Sequence, residues 1–300
     1  MENIRGVKVG ILDVGSNSMR LLVAGVDRGN VKELARERVY LRLGDDAYRL
    51  GRISAEKLGQ TREVAERFAR VARKAAVERL ETIVTAPGRQ AENGDELVRA
   101  LAEGTRARVV VLDAEEEGRL AWQGAVSRMS DPPDSVAVVD LGGGSCEIAV
   151  GKPGDGPEWV QSRDAGALRV TRAFLPGHRL SKRDVRAASE KVHDLIGDLD
   201  PPSPDAALAV GGTARAVGRL VGRRFGEDEL SKLAKALVRK GPHAVVAGTG
   251  ITPDRAETLL GGTLVLAEVT RLLGTRLEVG RGGLREGAAL ALAHEAAAVA

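Results

Sequence analysis

Cysteine, aromatic residues and long apolar runs are all scarce in this sequence. The 300 residues include one cysteine, Cys146, and aromatic side chains make up 2% of the chain. A single cysteine excludes an internal disulfide framework. The four histidines, His178, His193, His243 and His294, lie too far apart for any recognised zinc spacing. We therefore expect neither disulfides nor structural zinc.

Membrane-spanning and targeting segments are also lacking. No apolar stretch approaches the ~20 residues of a membrane span, and the first five residues, MENIR, contain no apolar segment of a signal peptide. The 45 basic and 42 acidic residues are mixed along the chain and leave a net charge of +3. This balance is compatible with a local basic cleft for a polyanion. We expect a cytoplasmic protein that binds neither membranes nor nucleic acid.

The sequence contains one short pattern twice, at an offset of 127 residues: ILDVGSNSMRLLV at 11–23 and VVDLGGGSCEIAV at 138–150. Each copy has an apolar run that ends in Asp, a turn of small residues and a second apolar run, which is typical of a β-hairpin. Small residues leave backbone N–H groups accessible to phosphate oxygens. The repeat therefore predicts a duplicated domain and a phosphate site shared by its two halves.

The first half alternates strand and helix patterns. Strands are predicted at 7–13, 20–27, 31–40, 82–86 and 108–112, and helices from Ser54, from Asn93 and over 115–127. This order implies a mixed sheet with helices packed on it. The segment MSDPPDS at 129–135 is typical of a connection. We expect two domains, residues 1–128 and 129–300.

The second half begins with its own hairpin and continues through predicted helices near 168–174 and 184–196 to a strand at 207–210. Gly211, Gly212 and Thr213 follow that strand and open a helix. A strand, a Gly-rich turn and a helix N-terminus together form an anion site, through the helix dipole and its unsatisfied N–H groups. Thr252 and Pro253 are predicted to begin a further helix, and an Ala-rich helix ends the chain.

Motifs from end to end of the chain resemble one family. They are DVGSNS (13–18), Thr85-Ala86 with Arg89, Asn93-Gly94, EEGR (116–119), DLGGGS (140–145) with Glu147, Gly166-Ala167 with Arg169, GGT (211–213) and LREG (284–287). Together they are similar to the exopolyphosphatase/guanosine pentaphosphate phosphatase family of the sugar kinase, Hsp70 and actin superfamily, in its short two-domain form. The resemblance implies an α/β fold of two ribonuclease-H-like (actin/Hsp70-type) lobes, with mixed sheets and substrate phosphates in an interdomain cleft.

The resemblance also implies a reaction. Family members release terminal phosphate from inorganic polyphosphate or from guanosine pentaphosphate, and Mg²⁺ is the expected cofactor. In the family pattern a glutamate of the Glu-Glu pair positions or deprotonates the attacking water. We expect Glu117 in this role, with Glu116 next because the run 115–117 leaves the register open by one residue. Glu147 is expected to support it.

The candidate ligands fall into two groups. Phosphate is expected to bind the backbone N–H groups of the three turns and two arginines, namely Gly15, Ser16, Asn17, Ser18, Gly142, Gly143, Gly144, Ser145, Gly211, Gly212, Thr213, Arg20 and Arg89. Magnesium is expected to bind Asp13, Asp140 and Glu147, directly or through water. Arg20 of the first hairpin aligns with Glu147 of the second, so one copy is expected to serve phosphate and the other water or metal.

Three functions remain open beside an exopolyphosphatase. They are a guanosine pentaphosphate 5′-phosphohydrolase, a kinase-like or actin-like nucleotide-binding protein, and a catalytically weak phosphate or alarmone sensor. An aromatic platform for base stacking is hard to assign at 2% aromatic content, which favours polyphosphate. Magnesium-dependent phosphate release distinguishes an enzyme from a sensor. A homodimer is plausible, since it would lengthen a basic channel for long chains.

Three further residues carry a specific expectation. Cys146 stands where family members commonly have threonine, so a hydroxyl donor near the second turn is missing. Arg285 and Glu286, taken alone, are typical of an ordinary surface pair.

Overall fold

The computed structural model describes residues 6–175, 177 and 180–299, so the N-terminal MENIR segment and His178 lie outside the described residues. The strands are β1 (Val7–Val14), β2 (Ser18–Asp27), β3 (Asn30–Tyr40), β4 (Arg79–Val84), β5 (Arg108–Val111), β6 (Val136–Leu141), β7 (Cys146–Lys152), β8 (Gly156–Arg163), β9 (Ala206–Val210), β10 (Arg224–Phe225) and β11 (Leu277–Val279). The helices are α1 (Leu43–Leu50), α2 (Ala55–Lys74), α3 (Ala86–Gln90), α4 (Gly94–Thr105), α5 (Ala114–Val126), α6 (Ala167–Phe174), α7 (Lys182–Ile196), α8 (Gly211–Val221), α9 (Glu227–Lys240), α10 (Pro242–Val246), α11 (Pro253–Glu257), α12 (Leu259–Leu273) and α13 (Leu284–Val299).

The chain divides into two compact units. Unit 1 comprises Met1–Arg128 and Gly282–Ala300, and unit 2 comprises Met129–Arg281. Residues 282–300, which the sequence assigned to a domain of residues 129–300, therefore group with unit 1. The reason is packing, because α13 buries its apolar face, including Leu284, Ala288 and Leu292, in a core that also contains residues of β1 and α5.

Unit 1 is built on a five-stranded mixed sheet in the order β3-β2-β1-β4-β5. Strands β1, β2 and β3 are antiparallel, whereas β1, β4 and β5 are parallel. The hairpin and third strand predicted from the first copy of the repeat are confirmed. In this hairpin Asp13 lies directly opposite Arg20.

Helices cover both faces of the unit 1 sheet. Alternate β1 residues point to opposite faces, so Leu12 packs with Phe68 of α2 and Leu97 of α4. Ile11 packs with Leu120 of α5 and with residues of α13 on the other face. Asp13 has the same parity as Ile11 and therefore lies on the α5 and α13 side.

Unit 2 repeats this topology around a six-stranded sheet in the order β10-β11-β9-β6-β7-β8. Strands β6, β7 and β8 are antiparallel, and β6, β9 and β11 are parallel. The order β8-β7-β6-β9-β11 matches β3-β2-β1-β4-β5 of unit 1, so the duplicated fold predicted from the repeated turn is confirmed. Among the described helices, none is both long and apolar enough to cross a membrane.

Candidate functional site

The two repeated turns have the same closing hydrogen bond. In unit 1 the N–H of Gly15 donates to the carbonyl of Ser18 over 3.2 Å, and in unit 2 the N–H of Gly142 donates to the carbonyl of Ser145 over 3.1 Å. The sequence repeat is therefore a repeat of backbone conformation at the end of β1 and of β6.

The carbonyl groups of each turn accept hydrogen bonds from the start of a helix, which is α1 in unit 1 and α6 in unit 2. In unit 1 the Ser16 carbonyl accepts from the N–H of Gly44 over 2.8 Å, and the Asn17 carbonyl accepts from the N–H of Arg42 over 3.0 Å. In a trans peptide the next N–H points opposite to the carbonyl. The N–H of Asn17 is therefore directed away from α1, where an anion can accept it.

The second turn is oriented in the same way. The Gly142 carbonyl accepts from Ala167, and the Gly143 carbonyl accepts from Leu168 and Arg169 at the start of α6, each over 3.0 Å. The N–H groups that follow these carbonyls, at positions 143 and 144, consequently point away from α6. The two predicted phosphate turns thus present backbone donors on the side opposite their supporting helices.

Two buried side chains of the first turn have donors that nothing in the described structure accepts. The hydroxyl of Ser16 and the amide nitrogen of Asn17 have no hydrogen-bond partner among the described residues, although both side chains are buried. Buried polar groups are nearly always hydrogen-bonded in folded proteins. A phosphate oxygen would accept from both, so this pair makes the first turn a candidate anion site.

Charged side chains flank the first turn. Arg20, opposite Asp13, donates its Nε to the hydroxyl of Ser18 over 3.0 Å. The Nε of Arg285 lies 3.9 Å from the carboxylate of Asp13. Burial raises the pKa of Asp13, while Arg20 and Arg285 act to lower it. Arg285 is 17% exposed, so the expectation of an ordinary surface pair with Glu286 is wrong, because α13 carries Arg285 onto the sheet.

The glutamate run separates into different environments. Helix α5 begins after Asp113, whose carboxylate accepts the N–H of Glu116 over 2.8 Å. Glu115 pairs with Arg119, and Glu116 is exposed. Glu117 is 6% exposed, and its Oε2 lies 2.9 Å from Nη1 of Arg89. Of the two candidate bases, Glu117 is the buried one.

Arg89 is held against the same part of unit 1. Its Nη1 also donates to the carbonyl of Leu112 over 2.7 Å. The short helix α3 that carries Arg89 is tied to β1, because the N–H of Thr85 donates to the carbonyl of Val14 over 3.2 Å. Arg89 and Glu117 are thus connected to the end of the strand that bears Asp13.

Glycines set the distance between the helices that carry Glu117 and Arg285. A side chain at Gly124 of α5 would collide with the backbone of Gly283 and Gly287, and a side chain at Gly287 would collide with the carbonyl of Leu120. Only glycine permits this approach. The close contact fixes α5 against α13 and therefore fixes both charged residues relative to the sheet.

In unit 2 the second hairpin places two carboxylates side by side. Asp140 on β6 and Glu147 on β7 are directly opposite each other. Glu147 is buried, and its Oε1 accepts from the hydroxyl of Ser162 over 2.8 Å. Like charges directly across two strands repel, and a hard divalent cation bound by one or two carboxylates removes that repulsion.

This pair fits the donor set that magnesium prefers, with remaining positions taken by water or phosphate oxygens. The described residues include no cluster of three His, Cys, Asp or Glu side chains that could hold a metal by itself. Asp13, the third predicted metal ligand, belongs to unit 1 and has Arg20 and Arg285 as charged neighbours instead. Asp140 and Glu147 are therefore the better candidates.

The third predicted turn is the N-terminus of α8. Gly211 has a φ of +90°, and a side chain there would begin 3.0 Å from Oδ1 of Asp140. Thr213 is fully buried, and its hydroxyl accepts from Nη1 of Arg255 over 3.1 Å. The turn therefore lies between the carboxylate of Asp140, which is next to Gly211, and the buried guanidinium of Arg255, which is bonded to Thr213.

Arg255 is a candidate that the sequence reasoning missed. It is 8% exposed, and a side chain at Gly212 would begin 2.5 Å from its guanidinium. A helix N-terminus and a buried guanidinium both favour a negative charge nearby. The one available signal was its position in the first turn of the helix predicted to begin at Thr252 and Pro253.

Cys146 lies in the core of unit 2. Its side chain is 1% exposed and belongs to the apolar core of unit 2, together with Ile148 and Val150 of the same strand. Burial raises the pKa of the thiol well above its usual value, and the carboxylates of Glu147 and Asp140 raise it further. The side chain at this position therefore faces the core, and the effect of the missing hydroxyl on the phosphate turn stays a prediction.

Comparison with known proteins identifies the family of this chain. The model of the Ppx/GppA phosphatase family matches residues 22–296. Exopolyphosphatase 1 of Mycobacterium tuberculosis is 27% identical over 94% of this chain and 87% of its own length. Exopolyphosphatase 2 of the same organism is 28% identical over 95% of this chain and 98% of its own length.

Solved structures share the fold. The Ppx/GppA family member from Aquifex aeolicus has a TM-score of 0.81 at 23% identity, and covers 96% of this chain and 98% of its own. An exopolyphosphatase from Cytophaga hutchinsonii has a TM-score of 0.85 at 19% identity, with the same coverage of the two chains. These matches confirm the predicted fold of two mixed-sheet α/β lobes. By its family model and its fold, this chain belongs to the Ppx/GppA phosphatase family, as its motifs predict.

Proposed function

We propose that this chain is a magnesium-dependent exopolyphosphatase, which hydrolyses the terminal phosphoanhydride bond of inorganic polyphosphate. The observation that carries the proposal is the buried Glu117 carboxylate, 2.9 Å from Arg89, in the unit whose Ser16 and Asn17 donors are buried without an acceptor. The two curated relatives described above are named exopolyphosphatases, which supports the same substrate.

Phosphate binding is assigned to the turns. The orphaned donors of Ser16 and Asn17, with the backbone N–H of the same turn, would bind nonbridging oxygens in unit 1. Arg20 adds positive charge beside them. In unit 2 the turn at 142–145 and the α8 N-terminus with Arg255 would bind oxygens in the same manner.

The chemical step is assigned to Glu117. A water oxygen forms a bond to the terminal phosphorus, the bridging P–O bond breaks, and the water gives up a proton to the Glu117 carboxylate. Arg89 keeps that carboxylate in one orientation before substrate binds. Because Glu117 would lie next to the water and the reacting phosphate, Arg89 beside it would also stabilise negative charge on that phosphate.

Asp140 and Glu147 would hold Mg²⁺, which neutralises charge on the phosphate oxygens when bound. Without a cation their carboxylates oppose each other across β6 and β7. Neutralising that repulsion is the reason to assign both of them, rather than Asp13, to the metal.

Guanosine pentaphosphate is the second candidate substrate, since its terminal phosphate presents the same group to the same donors. Aromatic residues make up 2% of the sequence, so few side chains are available on which guanine could stack. This favours inorganic polyphosphate as the substrate. A sensor without turnover is the remaining alternative.

The test is phosphate release from polyphosphate of defined length, from guanosine pentaphosphate and from ATP, at matched concentrations of terminal phosphate. Each is measured with Mg²⁺ and with excess chelator. Mg²⁺-dependent release with preference for polyphosphate is the expected result. Preference for guanosine pentaphosphate would replace the proposed substrate, and binding without release from any of the three would identify a sensor.

A further inference from the structure

We propose that Arg38 and Tyr40 of β3 form, together with Arg20, a second polyanion subsite that holds phosphates beyond the terminal one. The ligand class is a linear chain of phosphates joined by anhydride bonds. This inference rests on the proposed function, because it takes the terminal phosphate to be bound at the turn 15–18.

Strand register is the first observation. Arg20 lies directly opposite Asp13 on β1 and directly opposite Arg38 on β3. These three residues therefore form one row across the sheet, and their side chains lie on one face. Neighbouring strands are about 4.8 Å apart, so Arg38 begins about 10 Å outward from the strand of Asp13.

Hydroxyl groups hold both arginines in the same way. Arg20 donates to the hydroxyl of Ser18 over 3.0 Å, and Arg38 donates to the hydroxyl of Tyr40 over 3.1 Å. Ser18 and Tyr40 are themselves opposite each other on β2 and β3. The Arg38 guanidinium also lies over the Tyr40 ring, 5.9 Å from its centroid.

The charge arrangement is the third observation. Two arginines directly opposite each other on paired strands repel, as like charges in this position do. In the described part of the chain no carboxylate lies within ion-pair distance of Arg38. Arg36, two residues earlier on the same strand, pairs with Glu33 over 3.5 Å. Arg20 has the carboxylate of Asp13 opposite it on its other side, so an anion bound beside Arg38 would supply the counter-charge for the Arg38 guanidinium.

The arrangement suits an extended polyanion rather than a single phosphate. The row begins at Asp13, two residues before the turn with the orphaned donors, and continues outward to the exposed edge strand β3. A long polyphosphate could contact Arg38 while its end occupies the turn.

The test compares Arg38→Gln with Arg36→Gln, which removes the same charge from the same strand. We expect Arg38→Gln to raise KM for a long polyphosphate about tenfold, as for loss of one charge-assisted hydrogen bond, while kcat changes less than twofold. Arg36→Gln should behave as wild type. Tyr40→Phe, which frees the guanidinium without removing its charge, should give a smaller rise in KM than Arg38→Gln.

Direct binding provides a readout independent of turnover. The dissociation constant of long polyphosphate, measured with chelator present, should rise in Arg38→Gln by a factor similar to that for KM. Equal affinity of Arg38→Gln and wild type would overturn the subsite, and so would an equal loss in Arg36→Gln, which would indicate a general effect of charge. If wild type releases no phosphate from polyphosphate, the proposed function fails, and the binding comparison still decides whether Arg38 contacts the polyanion.

Discussion

The buried carboxylate of Glu117 and the partly buried guanidinium of Arg89 form an ion pair with 2.9 Å between Oε2 and Nη1. A carboxylate in this position is held in one orientation, and its charge is balanced before any substrate arrives. Glu116, its neighbour in sequence, is exposed. The roles of the two glutamates can therefore be separated by experiment.

Replacing Glu117 by Gln should lower phosphate release by about 10²- to 10⁴-fold, the usual contribution of a general base. Gln keeps the size of the side chain and a hydrogen-bond acceptor for Arg89, so polyphosphate binding and folding should be retained. Glu116→Gln is the matched control and should retain near wild-type kcat. A variant pair in which Glu116→Gln is inactive and Glu117→Gln is active would reverse the assignment.

Replacing Glu147 by Gln should raise the Mg²⁺ concentration needed for half-maximal activity by about tenfold or more, because one of two opposed carboxylates is lost. The same change removes the repulsion with Asp140, so the metal-free protein should be no less heat-stable than wild type. Glu158→Gln, an exposed change on β8, is the control. An unchanged Mg²⁺ dependence in Glu147→Gln would argue against this metal site.

Replacing Gly287 by Ala should lower the free energy of unfolding by about 1–3 kcal/mol, because a methyl group there would force α13 away from the Leu120 carbonyl of α5. Gly59→Ala in α2 is the opposite control. Its new methyl group meets open space, and Ala in a helix interior stabilises by about 0.5–1 kcal/mol relative to Gly. Chemical denaturation measures both. Equal changes in unfolding free energy for the two variants would contradict close packing of α5 on α13.

Asp46 gives a pH-dependent prediction. Burial acts to raise its pKa, but hydrogen bonds from the hydroxyl and N–H of Ser54 and from Lys57 outweigh burial and lower it below the ordinary 3.8. A depressed pKa means that its contribution to stability is present above pH ~4 and is lost as pH falls through the folded-state value.

Asp46→Asn should therefore cost about 1 kcal/mol of unfolding free energy at pH 7, and the difference from wild type should shrink below pH 4. Lys57 also donates to the carbonyl of Arg42 over 2.6 Å, so this cluster supports the turn at 15–18. Asp155→Asn, in an exposed turn, is the control. A difference that stayed constant down to pH 3 would contradict the assignment to the Asp46 carboxylate.

The sequence was sufficient for the features that local chemistry determines. Both hairpins follow from strand periodicity and small turn residues, and the structure has them where they were predicted. The predicted turn at 211–213 is the first turn of α8. The choice between Glu116 and Glu117 was also within reach. Asp113 is the N-cap of α5. Leu120 and Ala121 follow Glu117 by three and four residues, so all three lie on one face of the helix. That face is buried, which selects Glu117 over Glu116.

The remaining features depend on tertiary packing. Arg285 reaches Asp13 because glycines of α5 and α13 allow their helices to touch, and no local pattern records a contact between residues so distant in sequence. Arg255 likewise reaches Thr213 from a separate short helix. Helix α1 was missed because it begins after Arg42, which adopts a left-handed conformation with a φ of 52° and provides no side-chain cap.

Hydrolysis in H₂¹⁸O tests the central claim most directly, namely that water attacks the terminal phosphorus of polyphosphate. Mass spectrometry of both products from a single turnover should find one ¹⁸O in each released orthophosphate and none in the chain shortened by one unit. The same experiment with Glu117→Gln should release almost no labelled orthophosphate. Label in the remaining chain, or fragments several phosphates long, would contradict an exopolyphosphatase of this mechanism.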